Sequence, residues 1–97
     1  MKRLENKVAV VTGASTGIGQ ASANVLAQEG AHVLALDISD QLNQTVEDIK
    51  QQGGQATAFQ VDISDEQQVQ TFANQIKSEF GHVDILFNNA GVDNGAG

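Results

Sequence analysis

The chain has 97 residues, a formal net charge of −7 and no cysteine. Nucleic acid and anionic membranes are disfavoured as partners, because phosphate groups attract clusters of Lys and Arg and only 5 such residues are present. The missing cysteines exclude disulfides and thiolate chemistry, and two histidines distant in sequence predict no metal site. The apolar runs are too short to span a bilayer, so we expect a small cytoplasmic globular domain.

Strand and helix patterns alternate along the first half of the chain. Residues 8–11 are a β-branched run that ends in a glycine-rich turn, and a helical pattern follows it until Gly30. Residues 33–36 are a second apolar run, and the helix after it stops at Gly53 and Gly54. The apolar helix positions are Ile18, Ala21, Val25 and Leu26 in the first helix and Leu42, Val46 and Ile49 in the second.

The second half continues the same alternation. Residues 57–61 predict a third strand, and Ser64 with Gln67 predicts a capping box at the start of the next helix. That helix stops at Gly81, and residues 83–87 predict a fourth strand. The residues that we expect the third helix to bury are Val69, Phe72, Ala73 and Ile76.

Helices inserted between strands force the strands to pair in parallel. The pattern therefore predicts the first half of a doubly wound (Rossmann) α/β fold, with three α/β/α layers and strand order 3-2-1-4. Such sheets bind ligands at the carboxyl ends of their strands, at the switch point between the first and fourth strands.

The turn after the first strand reads Thr12-Gly13-Ala14-Ser15-Thr16-Gly17-Ile18-Gly19. Its glycines permit a sharp turn, a close approach of ligand to backbone, and tight packing of the helix on the strand. The helix start offers unpaired N–H groups to an anion, so we expect this turn to hold the pyrophosphate of a dinucleotide. A glycine-rich turn without a ligand is the alternative. The predicted contacts are Gly13, Ser15, Thr16, Gly17, Ile18 and Gly19.

Carboxylates end the second and third strands. Asp37 stands roughly 20 residues beyond the turn, where a carboxylate receives the ribose hydroxyls of adenosine. Neither Thr16 nor Ile38 is basic, and a carboxylate would repel a 2′-phosphate by roughly 1 to 4 kcal/mol, which favours NAD over NADP. Asp62 is positioned to accept a hydrogen bond from adenine, with Ile63 against the ring. For both aspartates, service to local backbone N–H groups is the alternative.

The segments Thr12-Gly13-x-x-x-Gly17-x-Gly19, Asp37, Asp62-Ile63 and Asn88-Asn89-Ala90-Gly91 resemble the short-chain dehydrogenase/reductase family in order and spacing. The resemblance implies an oxidoreductase that interconverts an alcohol and a carbonyl by hydride exchange with NAD(H). It also implies that Asn89, Ala90 and Gly91 face the cofactor, and that the protein assembles as a homodimer or homotetramer.

Members of that family catalyse hydride transfer with a Ser, a Tyr and a Lys that lie downstream of the Asn-Asn-Ala-Gly segment, and this chain contains no Tyr. We therefore expect residues 1–97 to be an incomplete cofactor-binding portion that is inactive alone, from a protein that continues past Gly97. His32 and His82 precede strands, so we expect both at the surface of the edge opposite the ligand. The alternatives are a non-catalytic dinucleotide-binding module and a relative with other chemistry.

Overall fold

The computed structural model describes residues 3–89, in which strands and helices alternate. Counted along the chain, the strands lie in the order third, second, first, fourth, and every neighbouring pair is parallel, which confirms the predicted doubly wound α/β fold. None of the helices in this range has both the length and the apolarity needed to cross a membrane. The elements are β1 (Val8–Thr12), α1 (Gly17–Gln28), β2 (His32–Asp37), α2 (Leu42–Gln51), β3 (Gln55–Gln60), α3 (Glu66–Glu79) and β4 (Ile85–Asn88).

Each face of the sheet has its own core, because successive strand residues point to opposite faces. Helices α1 and α2 cover the face that carries Val11, Val33 and Ala35. Helix α3 covers the other face, where Phe72 and Ile76 pack on the strands. The three predicted layers are therefore present. The strand residues beneath α3 are Val8, Val10, Leu34 and Leu36.

Helix α1 contacts the sheet through its smallest residues. A large side chain between a helix and a strand that lie this close would force them apart. The buried positions are Gly19, Ala23 and Ala27. The predicted apolar face was therefore wrong for Ile18, Ala21 and Val25, which are exposed, whereas Leu26 packs at the margin of the core.

The N-cap of α3 is Asp65. Its side chain accepts hydrogen bonds from the backbone N–H groups of Gln67 and Gln68 at 3.0 and 3.3 Å. Ser64 instead donates its N–H and its hydroxyl to the carboxylate of Asp62, at 2.9 and 2.6 Å. The predicted capping box of Ser64 and Gln67 was therefore wrong. The cap is one residue later, at Asp65, because the Ser64 hydroxyl donates to Asp62.

The exposure of α3 also differs from the prediction. Phe72 and Ile76 are buried, but Val69 and Ala73 are exposed. Both line a groove between α3 and the edge strand β4, together with Leu86, which is 66% exposed. Within residues 3–89 no strand lies beyond β4, so this side of the helix gains no apolar partner there.

Strands β3 and β4 each begin two residues away from the predicted position, for reasons of hydrogen bonding. Strand β3 begins two residues earlier than predicted because Gln55 pairs with His32. Strand β4 begins two residues later, because Asp84 binds β1 partly through its side chain. The Asp84 N–H donates to the carbonyl of Val8 at 2.8 Å, and the Asp84 carboxylate accepts from the N–H of Val8 at 2.8 Å.

Candidate functional site

The parallel register brings the carboxyl ends of all four strands to one edge of the sheet. Thr12 is opposite both Leu36 and Asn88, and Asp37 is opposite Gln60. The turn after β1, Asp37 and Asp62 therefore follow neighbouring strands at this edge, as predicted. Three large apolar side chains near it are exposed to solvent: Ile18 at 68%, Ile38 at 61% and Ile63 at 41%.

The glycines of the turn meet two different requirements. Gly13 and Gly17 have φ angles of 63° and 59°, in the left-handed region that other residues avoid. Gly19 is needed for space, because an added Cβ would collide with the carbonyl oxygen of Gly13 and lie 2.9 Å from Asn89 Nδ2. The space around an added Cβ at Gly17 is open. A ligand can thus approach the backbone at Gly17, while Gly19 is packed against β1.

The start of α1 fits an anion. Its N-cap, Thr16, makes no side-chain cap hydrogen bond, and its first turn contains no acidic residue. The first N–H groups of a helix have no intrahelical acceptor, and they carry the positive end of the helix dipole. Beside them, the Ser15 hydroxyl oxygen is buried and has no hydrogen-bond partner among the described residues. Such an unpaired buried group is suited to a ligand oxygen.

Asp37 joins the end of β2 to the glycine turn. Its Oδ2 accepts from the N–H of Ser15 at 3.0 Å, and its Oδ1 accepts from the N–H of Ser39 at 3.1 Å. Burial alone raises the pKa of this carboxyl, but the backbone N–H groups of Ser39 and Ser15 outweigh it and the net pKa is lowered. The Ser15 hydroxyl also favours the charged carboxylate, although it lies outside hydrogen-bond geometry. Asp37 is therefore charged at neutral pH, and it already accepts hydrogen bonds from local backbone N–H groups. This local role is the alternative that the sequence analysis gave for Asp37.

A second set of hydrogen bonds ties β1 to β4 at the same edge. The Thr12 hydroxyl donates to Asn88 Oδ1 and accepts from the N–H of Asn89, both at 2.8 Å. Asn89 Nδ2 donates to the carbonyl of Gly13 at 3.3 Å. Asn89 thus supports the glycine turn directly. The other two residues predicted from the resemblance, Ala90 and Gly91, lie outside the described residues.

Asp62 is engaged by its own turn. Both hydrogen bonds from Ser64 end on Asp62 Oδ1, and they lower the pKa of this carboxyl, the Ser64 hydroxyl more than the N–H. The Asp62 N–H donates to Gln68 Oε1 at 2.9 Å. This is the local role that was the alternative for Asp62. It leaves Asp62 charged at the end of the third strand, beside the exposed Ile63.

Sequence reasoning missed one residue beneath the turn, Thr45 of α2. Its side chain is fully buried, and its hydroxyl donates to the carbonyl of Ala14 at 3.0 Å. The available signal was a threonine within the apolar stripe of α2, where a buried hydroxyl needs a partner. That stripe is Leu42, Thr45, Val46 and Ile49.

The two histidines lie at the opposite edge of the sheet, as predicted. His82 is exposed and its Nε2 is 3.0 Å from Asp84 Oδ2. His32 is half-buried, which the surface prediction did not anticipate: its Nε2 is 3.0 Å from Thr57 Oγ1, and its ring packs edge-on against Phe80. Burial, followed by the charge of Lys50, lowers the pKa of His32. Neither ring is near the glycine turn.

The sequence pattern that defines the short chain dehydrogenases matches residues 7–97, and the chain belongs to this family. It is 59% identical over 98 residues to the uncharacterized oxidoreductase YxbG of Bacillus subtilis (strain 168). The match covers 100% of this chain and 36% of YxbG, so the chain spans about a third of that relative's length.

Two solved structures show the same fold with a cofactor. A metagenomic short-chain oxidoreductase in complex with NADP superposes with a TM-score of 0.88 at 39% identity, over 92% of this chain and 41% of that one. A xylitol dehydrogenase with bound NAD+ superposes with a TM-score of 0.87 at 35% identity, over 93% of this chain and 35% of that one. Similar folds in this family therefore hold either NAD+ or NADP.

Substituting Gly19 tests the close approach of α1 to β1. We expect Gly19→Ala to lower the free energy of unfolding by about 3 kcal/mol or more, because its Cβ meets backbone that cannot yield. Gly17→Ala is the matched control and should cost only about 1 to 2 kcal/mol, the strain of a left-handed alanine. Urea unfolding followed by circular dichroism measures both, and equal losses would contradict the packing argument.

The lowered pKa of Asp37 predicts a particular pH dependence. Because the folded pKa lies below the ordinary value of 3.8, the charged carboxylate stabilises the fold above that pH, and this contribution disappears as pH falls through the folded pKa. We expect Asp37→Asn to be less stable than wild type at neutral pH, with the difference closing in acid. Asp40→Asn, which removes an exposed neighbouring carboxylate, is the control. A constant difference across the titration would refute the prediction.

Proposed function

We propose that the carboxyl edge of this sheet binds NAD(H), and that the protein is an oxidoreductase interconverting an alcohol and a carbonyl compound. The observation that carries the proposal is the uncapped N-terminus of α1 with the buried, unpartnered Ser15 hydroxyl beside it. This is a built site for an anion, and it lies where doubly wound sheets bind ligands. In this proposal residues 1–97 are the cofactor-binding portion.

Different described residues contact different parts of the proposed cofactor. The backbone from Ser15 to Gly19 faces the pyrophosphate, with Gly17 leaving room for it. Asp37 accepts hydrogen bonds from the adenosine ribose, while Asp62 faces the adenine amino group. The exposed side chains of Ile38 and Ile63 cover the faces of the adenine ring. When bound, the nicotinamide supplies the acceptor or donor of the hydride.

Asp37 favours NAD over NADP in this proposal. A 2′-phosphate on the adenosine ribose would meet a carboxylate that its hydrogen bonds hold in the charged form. Its neighbours Ile38 and Ser39 carry no positive charge to offset the repulsion. At about 4 Å, this repulsion is worth roughly 1 to 4 kcal/mol, depending on solvent screening.

In this proposal the catalytic step needs a histidine or tyrosine that residues 3–89 do not bring to the cofactor edge. Proton transfer with the substrate oxygen requires an acid or base within hydrogen-bond reach. Both histidines are at the opposite edge, and the chain has no tyrosine, the residue that the resemblance assigns to this task. The proposal therefore covers cofactor binding by this chain, and hydride chemistry on a small alcohol or carbonyl compound by the whole protein.

Cofactor binding without turnover is the direct test. We expect the 97-residue chain to enhance the fluorescence of added NADH, and to form no NADH from NAD+ and a panel of alcohols. Gly17→Leu, whose side chain enters the open space in front of the turn without meeting packed atoms, is the control for specific binding. Failure of the wild-type chain to bind NADH would remove the proposal. Alcohol-dependent NADH formation by the chain alone would show that it contains an acid or base that we have not found.

The choice of cofactor is tested at Asp37. We expect Asp37→Ala to weaken the binding of NAD+ about tenfold more than the binding of NADP+, because only NAD+ loses a hydrogen bond from its ribose to a charged group. Asp40→Ala controls for the loss of one negative charge. Calorimetric titration measures both cofactors. Equal weakening of NAD+ and NADP+ would leave Asp37 as a residue that only holds the turn.

A further inference from the structure

The peptide unit between Ala14 and Ser15 is held at both ends. Its carbonyl oxygen accepts a hydrogen bond from the hydroxyl of Thr45 at 3.0 Å, and its N–H donates to Asp37 Oδ2 at 3.0 Å. A peptide unit is planar and turns as a rigid body. Two hydrogen bonds from two different elements, α2 and β2, therefore fix the orientation of this plane.

Thr45 is committed to this contact. A threonine hydroxyl inside a helix commonly returns to the carbonyl four residues earlier, but this one reaches a residue 31 positions away. Thr45 and Ala14 are both 0% exposed, so no water replaces the bond. The N–H of Ala14 donates to the carbonyl of Leu36 at 3.1 Å, which holds the same residue from the sheet. The hydroxyl of Thr45 completes the support of the turn from below.

We propose that Thr45 is a positioning residue for the diphosphate of the cofactor, an inference that rests on the proposed function of the site. The turn has left-handed glycines on both sides of the held peptide, Gly13 and Gly17, so its backbone has other conformations within reach. Holding the peptide keeps the Ser15 hydroxyl and the following N–H groups directed at one place. The entropy of ordering the turn is then lost during folding, so it does not reduce the affinity for the ligand.

Thr45 and Asp37 hold the peptide in different ways. Asp37 is half-exposed at the ligand edge, and in the proposed function it also receives the ribose hydroxyls. Thr45 is buried beneath the turn and acts on the ligand only through Ala14. Loss of its hydroxyl should therefore weaken ligands that carry a diphosphate and spare those that contact only the ribose and adenine parts of the site.

Two matched pairs of proteins measure the effect of the Thr45 hydroxyl alone on ligand binding. Wild type and Thr45→Val have side chains of the same shape, and Thr45→Ser and Thr45→Ala differ in one oxygen atom. Thr57→Val removes another threonine hydroxyl, the one 3.0 Å from His32 Nε2, from the opposite edge of the sheet. NADH is titrated by its own fluorescence, since the chain has no Trp or Tyr, and ADP and adenosine are titrated by calorimetry.

We expect Thr45→Val to weaken the binding of NADH and ADP about fivefold, the equivalent of one net hydrogen bond, and to leave the binding of adenosine unchanged. Thr45→Ser should bind ADP like wild type, Thr45→Ala should not, and Thr57→Val should bind all three ligands normally. The second pair gives the same comparison if Thr45→Val does not fold. Equal ADP affinity within both pairs, or parallel weakening of ADP and adenosine, overturns the inference while the proposed function stands. Wild type that does not bind NADH overturns both.

Discussion

The close approach of α1 to the end of β1 is the constraint on which the rest of the structure depends. Gly19 lies so near the Gly13 carbonyl that no side chain fits, and Ala23 and Ala27 continue this contact along the helix. The approach places the first turn of α1 directly above the end of the central strand. Backbone N–H groups thereby become the lining of the site, and residues at the ends of the other strands act around them.

In the proposed function, folding and ligand recognition depend on the same residues at this edge. Asp37 stabilises the turn through the N–H of Ser15, and in the proposed function its charge favours NAD over NADP. The Thr12 hydroxyl and Asn89 tie β4 to β1 and to the turn. A site built mainly from backbone needs such supports, because a flexible turn would lose affinity to the entropy of ordering it.

Exposed apolar side chains mark the places where the described residues lack packing partners. Ile18, Ile38 and Ile63 are exposed around the carboxyl edge, where a flat ring would cover them. Val69, Ala73 and Leu86 are exposed on the other side, in the groove between α3 and the edge strand β4. The first group belongs to the proposed cofactor site. The second group adjoins β4, which within residues 3–89 has a neighbouring strand on one side only.

Periodicity and glycine spacing determined the fold class, the strand order and the position of the turn, because alternating strands and helices allow few arrangements. The acids at the strand ends were also readable from sequence, since a parallel sheet collects such positions at one edge. Only the tertiary structure decided which helix faces are buried, because α1 packs through small residues that periodicity ignores. It likewise decided the partners of Asp37 and Thr45, since their hydrogen bonds join residues 22 and 31 positions apart, and no local pattern encodes that distance.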